Sequence, residues 1–409
     1  MIGPATGAAL EALDSTQVRA IGVRPARDVT GAVGERRYLH AGPPLGGGDI
    51  VGPLRGALIG ALMLEGEAES PEAAARILDG GGLALASCHD NGGVGAMAGV
   101  VTPSIPVVVM ETDQGSRAFS PLNEGLGKAL RFGSYDPATL DRLRWMGAVA
   151  GPVLDAALGA VDGLDMVELW AEGLRRGDEC HNRNVASSAA VLARLAPSIV
   201  AAADRQDAVD VLSHVAANPH FFLALSIAAA KVVADVAQMT GDPGVVTAMS
   251  SNGADLGIRV SGAGDRWFLT NSVIGEPKLF EGYEPADASP VLGDSFIAET
   301  VGLGAFALSA SPAIVSFVGG DPLTASDTVE ELRGICRGAS SRFLIPAEGF
   351  GGTPIGIDVH KVAATGIAPL ANAGLAHREP GRGQVGACLM RLPLEPFIEA
   401  AAFLDRHAN

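Results

Sequence analysis

Aromatic side chains are scarce in this chain: three Trp, three Tyr and 13 Phe amount to 5% of it, so packing falls to small aliphatic residues. Cysteine is scarcer still. Four Cys at irregular spacing in 409 residues exclude a disulfide framework and predict a reduced, cytoplasmic protein. Charged residues make up only 18%, and with 46 Asp+Glu against 29 Lys+Arg the net charge is −17. No Lys/Arg stripe is available to displace phosphate counterions, which argues against a nucleic-acid partner. Residues 1–4 have no basic or apolar leader character, so no signal peptide is expected. The uncharged run 300–320 is long enough to span a bilayer. It contains Ser309, Ser311 and Pro312, has acids Glu299 and Asp321 at its ends and lacks flanking Lys/Arg, so no membrane span is expected. A buried helix to Ser309 and a strand over 313–318 fit it better. Nucleophile-elbow, P-loop and dinucleotide fingerprints are all missing.

What the chain has in excess is glycine, 54 residues, a sign of tight turns and close backbone approaches. Its length predicts two or three domains. Helices are predicted over 53–68 and 71–79, and a buried strand over 106–111, where Val107, Val108 and Val109 follow a Pro. From 137 to about 238, apolar spacing of three and four residues (Leu140, Leu143, Met146, Val149) reads as helix throughout. After Gly241-Asp242-Pro243-Gly244, strands return at 245–249, 256–261 and 267–270. The expected fold class is α+β: two α+β domains, 1–136 and 242–409, with a helical domain, 137–241, inserted between them.

Half of the cysteines and a quarter of the eight histidines sit in two short polar stretches, Cys88-His89-Asp90-Asn91 and Cys180-His181-Asn182-Arg183-Asn184. Neighbouring Cys and His point in different directions on either a helix or a strand, so a shared zinc ion is disfavoured and no metal is expected. The alternatives are polar residues satisfied at helix ends, or groups that bind substrate and move protons. The second stretch precedes an Ala-rich helix, whose start suits an anion, and Arg183 would strengthen it. The first opens a glycine-rich turn, 91–99, that can cradle an anion through successive N–H groups. A Cys beside a His also leaves covalent catalysis by Cys88 or Cys180 open.

In the strand 256–261 the period of two puts Gly257, Arg259 and Ser261 on one face, where a guanidinium either grips an anion or makes a surface ion pair. Arg266 carries the same ambiguity. On a strand 355–362, Asp358 and His360 share a face, and a carboxylate beside an imidazole suits a general base, though a solvated edge strand looks similar. His220 reads as a packed histidine. Asp294 and Glu299 read as acids at a helix start with no other role.

Longer motifs run from residue 39 to 393. They include Leu39-His40-Ala41-Gly42-Pro43-Pro44, residues 88–104, Leu122-Asn123-Glu124-Gly125, residues 177–184, Asn218-Pro219-His220, residues 252–268 and 293–320, and Gly351-Gly352-Thr353-Pro354. On these the chain resembles the DUF1116 group, which includes a subunit of an allantoin-linked oxamate carbamoyltransferase. The resemblance implies two unusual α+β domains with a small helical domain. It also implies cleavage of oxalurate with phosphate to oxamate and carbamoyl phosphate, without a cofactor, beside an acyl-CoA-synthetase-like partner subunit. A homo-oligomer is expected. The family pattern is expected to place a second histidine after Cys-His, where this chain has Asp90, and a nucleotide-fold-like segment ahead of the shared region.

For such a reaction the candidate catalytic residues are His89, His181, Asp358 and His360. The candidate substrate-binding residues are Asp90, Asn91, Glu124, Asn182, Arg183, Asn184, Asn252, Arg259 and Arg266. Three functions fit: a carbamoyl-transfer or C–N-cleaving enzyme for a small ureide, an amidohydrolase using water in place of phosphate, and a non-catalytic ligand-binding subunit.

Overall fold

The computed structural model describes residues 7–46, 50–318 and 321–407; the leader reading at 1–4 and the end of the run 300–320 lie outside the described residues. The chain is α+β, built from helices and several small sheets. Strands Arg117–Pro121, Pro106–Thr112, Val18–Pro25 and Leu164–Asp165 form an antiparallel sheet in that order. The predicted strand at 106–111 is its buried centre, as a run of Val requires. A parallel pair, Arg37–His40 with Ala84–Ser87, aligns His40 with Ser87. The first Cys-His pair follows directly from that strand end.

The predicted helical stretch consists of Pro137–Trp145, Gly151–Ala160, Met166–Arg175, Val185–Ala202, Arg205–Ala217 and Phe221–Met239. Val185–Ala202 and Phe221–Met239 are long and apolar enough to cross a membrane by length and composition. In the latter, 83% of the apolar window is buried inside the fold, as in a core helix. This central helix packs on the first sheet, the helix Ala8–Ser15 and the strand Val246–Asn252. Its residues and those of the other middle helices share one hydrophobic core with Leu10, Leu58 and Met110. The helical stretch has no separate core among the described residues.

A second core lies under the sheet Leu292–Gly293, Val246–Asn252, Asp255–Val260, Phe268–Asn271 and the sheet Lys278–Leu279, Gln384–Arg391, Leu370–Ala376. Residues 291–310 form the seam between the cores. Leu292, Ile297 and Leu303 face the first, while Phe296, Phe306 and Leu308 face the second. The run 300–320 is therefore neither one helix nor a span. It breaks into Ile297–Thr300, Gly304–Ala310 and Pro312–Phe317. The strand expected over 313–318 is a helix, because Pro312 fits a first turn, where an N–H is not needed, and Ile314 and Val315 are buried from that conformation. The strand expected over 355–362 stops at Ile357: Asp358 caps the helix Val359–Thr365 by accepting from the His360 and Lys361 N–H groups at 2.8 and 3.1 Å.

Candidate active site: two histidines on one acidic segment

Each Cys-His loop delivers its histidine to an acid of the seam. His89 opens a single 3₁₀ turn after the parallel strand pair, and its Nε2 lies 3.4 Å from Asp294 Oδ1. Both groups are almost wholly buried. Asp294 is gripped from three further directions: Gly42 and Gly95 donate backbone N–H groups at 2.7 and 2.8 Å, and Ser250 donates its hydroxyl. Burial still pushes its carboxyl up, to about 6, against the pull of these donors. The glycine-rich turn 91–99, expected to hold an anion through successive N–H groups, gives one, that of Gly95, to the chain's own Asp294. Glycine is needed there, since a Cβ on Gly95 would stand 2.4 Å from the Gly99 Cα.

His89 is held neutral. Burial first, then the positive charges of Lys231 and Arg259, push its imidazole well below the usual range. Neither ring nitrogen has a hydrogen-bond partner. With Nε2 turned to the Asp294 carboxylate, the consistent tautomer carries the proton on Nε2 and leaves Nδ1 as a free acceptor. The ring lines a cleft of about 480 Å³ together with Asp90, Lys231, Asp235, Arg259 and Asp265. Lys231 and Arg259 are 2% and 7% exposed, whereas the Asp265 side chain on Arg259 is 98% exposed. Both cations are paired, Lys231 with the partly exposed Asp235 at 2.6 Å and Arg259 with Asp265, so the cleft carries two cations among three acids. Asp90 accepts from Trp267 Nε1 at 3.2 Å and sits 3.7 Å from Arg259; the Trp267 ring meets His89 edge-on at 5.3 Å.

The second loop has the opposite electrostatics. His181 Nδ1 is 2.9 Å from Glu299 Oε1, and Glu179 accepts the His181 and Arg183 N–H groups at 2.9 and 2.6 Å. Burial works against a charge on His181, but the Glu299 carboxylate outweighs it and the net shift is upward. Burial pushes Glu179 up to about 7. His181, Asn182, Arg131, His220, Ser295 and Gln384 line an adjoining chamber of about 30 Å³. Arg131 is lowered to about 10 by burial, and His220 to about 3 by burial and the neighbouring cations.

The remaining candidates have structural partners. Arg183 binds Asp178 at 2.7 Å and the Gly177 carbonyl. Asp178 in turn accepts the Ser187 N–H at 2.7 Å, so the helix start expected to take an anion already holds one. Asn184 donates to the His181 carbonyl and Asn91 to the Ser87 carbonyl. Asn252 is buried and holds a turn, donating to Pro43 O and accepting from the Ala254 and Asp255 N–H groups. Glu124 accepts from Leu130 and Arg131 N–H groups and so fixes the turn that carries Arg131. Arg266 is a surface residue stacked over Phe403 at 4.9 Å. Asp358 pairs with Arg337 at 2.8 Å, and exposed His360 with Asp405 at 3.1 Å; neither lines the cleft or the chamber, because the cap at Asp358 turns the chain into a helix there.

Both cysteines lie beneath their loops. Cys88 meets the Gly99 carbonyl and Cys180 the Trp170 carbonyl and Ser187, and burial raises both thiols well above their ordinary range. Neither is an activated nucleophile. The sequence reading missed Asp294 and Glu299 as site residues. Their signal was available, for they are the only charges between Asp287 and Asp321, and buried charges in an apolar run need a partner.

Residues 83–295 match the family model of the oxamate carbamoyltransferase subunit AllG. The chain is also 39% identical over 404 residues to the oxamate carbamoyltransferase subunit AllG of Escherichia coli K12, covering 98% of this chain and 96% of that one. The chain belongs to the AllG family. A second relative, the uncharacterized protein YahG of the same organism, is 36% identical over 98% of this chain and 85% of its own length. A crystal structure of a conserved protein of unknown function from Enterococcus faecalis V583 shares the fold at a TM-score of 0.95, with 37% identity, covering 98% of this chain and 97% of that one. With 96% of E. coli AllG aligned, that relative has no room for the separate nucleotide-fold segment expected ahead of the shared region.

Proposed function

We propose that the chain is a subunit of a carbamoyl-transfer enzyme complex and that its cleft takes a small anionic ureide, with phosphate as acceptor. The observation that carries this reading is the neutral His89, backed by Asp294, on a cleft that also presents the buried Arg259 guanidinium. For oxalurate, the chemistry needs one C–O bond formed from phosphate to the ureido carbon and one C–N bond broken to release oxamate. A proton must pass from the attacking phosphate to the departing nitrogen. A neutral imidazole accepts that proton and then donates it, while Asp294 stabilises the imidazolium formed between the two steps. Lys231 and Arg259 hold the anions and the developing oxyanion. Membership of the AllG family supports the subunit role, since the E. coli relative bears the name of an oxamate carbamoyltransferase subunit.

The test is oxalurate turnover with phosphate by the chain assembled with its partner subunits. His89→Gln and Arg259→Met complexes should lose turnover by roughly a hundredfold or more, the usual contribution of a positioned acid–base group. Complexes that assemble and turn over at the wild-type rate in both variants overturn the reading. Turnover that persists at full rate without phosphate assigns the chain to hydrolysis instead.

A further inference from the structure

The chamber beside His181 has features that a merely packed interior would not keep. Arg131 is nine-tenths buried and, among the described residues, its Nε has no partner; the Asn182 Nδ2 atom is likewise buried and unpartnered. Buried polar atoms left alone are costly, so a pair of them on one chamber marks a place where something polar binds. The chamber opens at Leu126, which is 44% exposed and forms part of its wall. His220 and Leu223, at the N-terminal end of the helix Phe221–Met239, form another part, and they bring the positive end of a 19-residue helix to the site. Seven segments of the chain converge there, including Gly374 and Gln384 from two strands of the sheet over the second core.

Charge and size narrow the ligand. Arg131 is the cation of the wall, and the Glu299 carboxylate shifts His181 toward its charged form; Glu299 meets His181 through one oxygen, Glu179 accepts from backbone N–H groups, and Glu124 from the turn at Leu130. A volume of about 30 Å³ encloses roughly two water-sized oxygens, enough for the carboxylate end of a ligand whose remainder extends past Leu126.

We infer that this chamber is a second binding site, for a small carboxylate seated between Arg131, His181 and Asn182 and entering past Leu126. It is separate from the His89 cleft and stands on its own observations, independently of the carbamoyl-transfer reading.

The test uses the full chain with selectively ¹³C-labelled histidine and sodium oxamate as the probe, with acetate as a second carboxylate. The His181 ring signal is assigned with a His181→Gln variant. It should move saturably with oxamate in the wild type and in Arg259→Met, whose altered residue lies in the other cleft. In Arg131→Met the apparent Kd for that movement should weaken by about tenfold or more, the loss expected for one charge-assisted contact. Asn182→Asp, which adds a negative charge to a half-buried position, should weaken it comparably and guards against misfolding of the Arg131 variant. A His181 signal that stays still at saturating oxamate and acetate means the chamber holds water alone, which overturns the inference. A response equal in wild type, Arg131→Met and Asn182→Asp overturns it too.

Discussion

The two Cys-His loops share a sequence pattern and both reach the acidic segment 294–299, yet one holds a neutral imidazole and the other an imidazole pushed toward its charged form. The difference comes from their neighbours. His89 stands 3.4 Å from its acid, in the field of Lys231 and Arg259. His181 touches Glu299 at 2.9 Å with Glu179 beneath it. A local motif thus says where a histidine is, and the residues brought beside it decide what it does.

The sharpest way to break the comparison is to remove an acid. Asp294→Asn leaves Gly42, Gly95 and Ser250 donors facing an amide that both accepts and donates, in a fully buried site. The expected cost is about 3 kcal/mol, with oxalurate turnover lost through His89. Chemical denaturation and assay of the assembled complex measure both; an unchanged denaturation midpoint would show that the cradle is not stabilising.

The next effect separates the loops by pH. Glu179 is raised to about 7 and His181 is also raised, so the folded state binds more protons than the unfolded one; stability from this cluster is present at low pH and lost as pH rises through about 7. His89 is lowered, so its contribution has the other sign: it costs stability below about 6.5 and stops doing so above. Glu179→Gln should therefore flatten the loss between pH 5 and 8, by on the order of 3 kcal/mol at most, and His89→Gln should flatten the gain on the acid side. Denaturation midpoints across that range check this, and equal slopes in the two variants would dissolve the distinction.

The smallest effects test residues that the sequence nominated and the fold employs elsewhere. Arg266→Ala and His360→Ala alter an exposed stack and an exposed ion pair, and turnover should stay within about twofold, with stability within about 0.5 kcal/mol. Cys88→Ala should likewise keep turnover, because its thiol is buried and un-ionised. A large loss of turnover in any of these variants would return that residue to the site.

Much of the fold was legible because it follows local rules. The helix Pro71–Asp79 matches its expected bounds, with Ser70 as its cap, and the buried strand Pro106–Thr112 extends the predicted one by a single residue. The breaks at 312 and 358 were less legible, since Pro312 and Asp358 are compatible with either reading until neighbouring packing is known. In the candidate site, His89 and Arg259, nominated from separate stretches, line one cleft. Their acid was passed over, because nothing within a few residues of Asp294 reveals that Gly42, Gly95 and Ser250 surround it from 44 to 252 positions away.

The sequence by itself determined the α+β class, the helical stretch, the two polar loops and the acidic, lightly charged composition, because periodicity, turn chemistry and charge act over short distances. Only the tertiary structure decided which histidine is neutral, which glycine turn holds which carboxylate, and that the cysteines are buried supports. Those outcomes depend on burial and on charges from remote segments, and neither quantity exists until the two cores close on the seam between them.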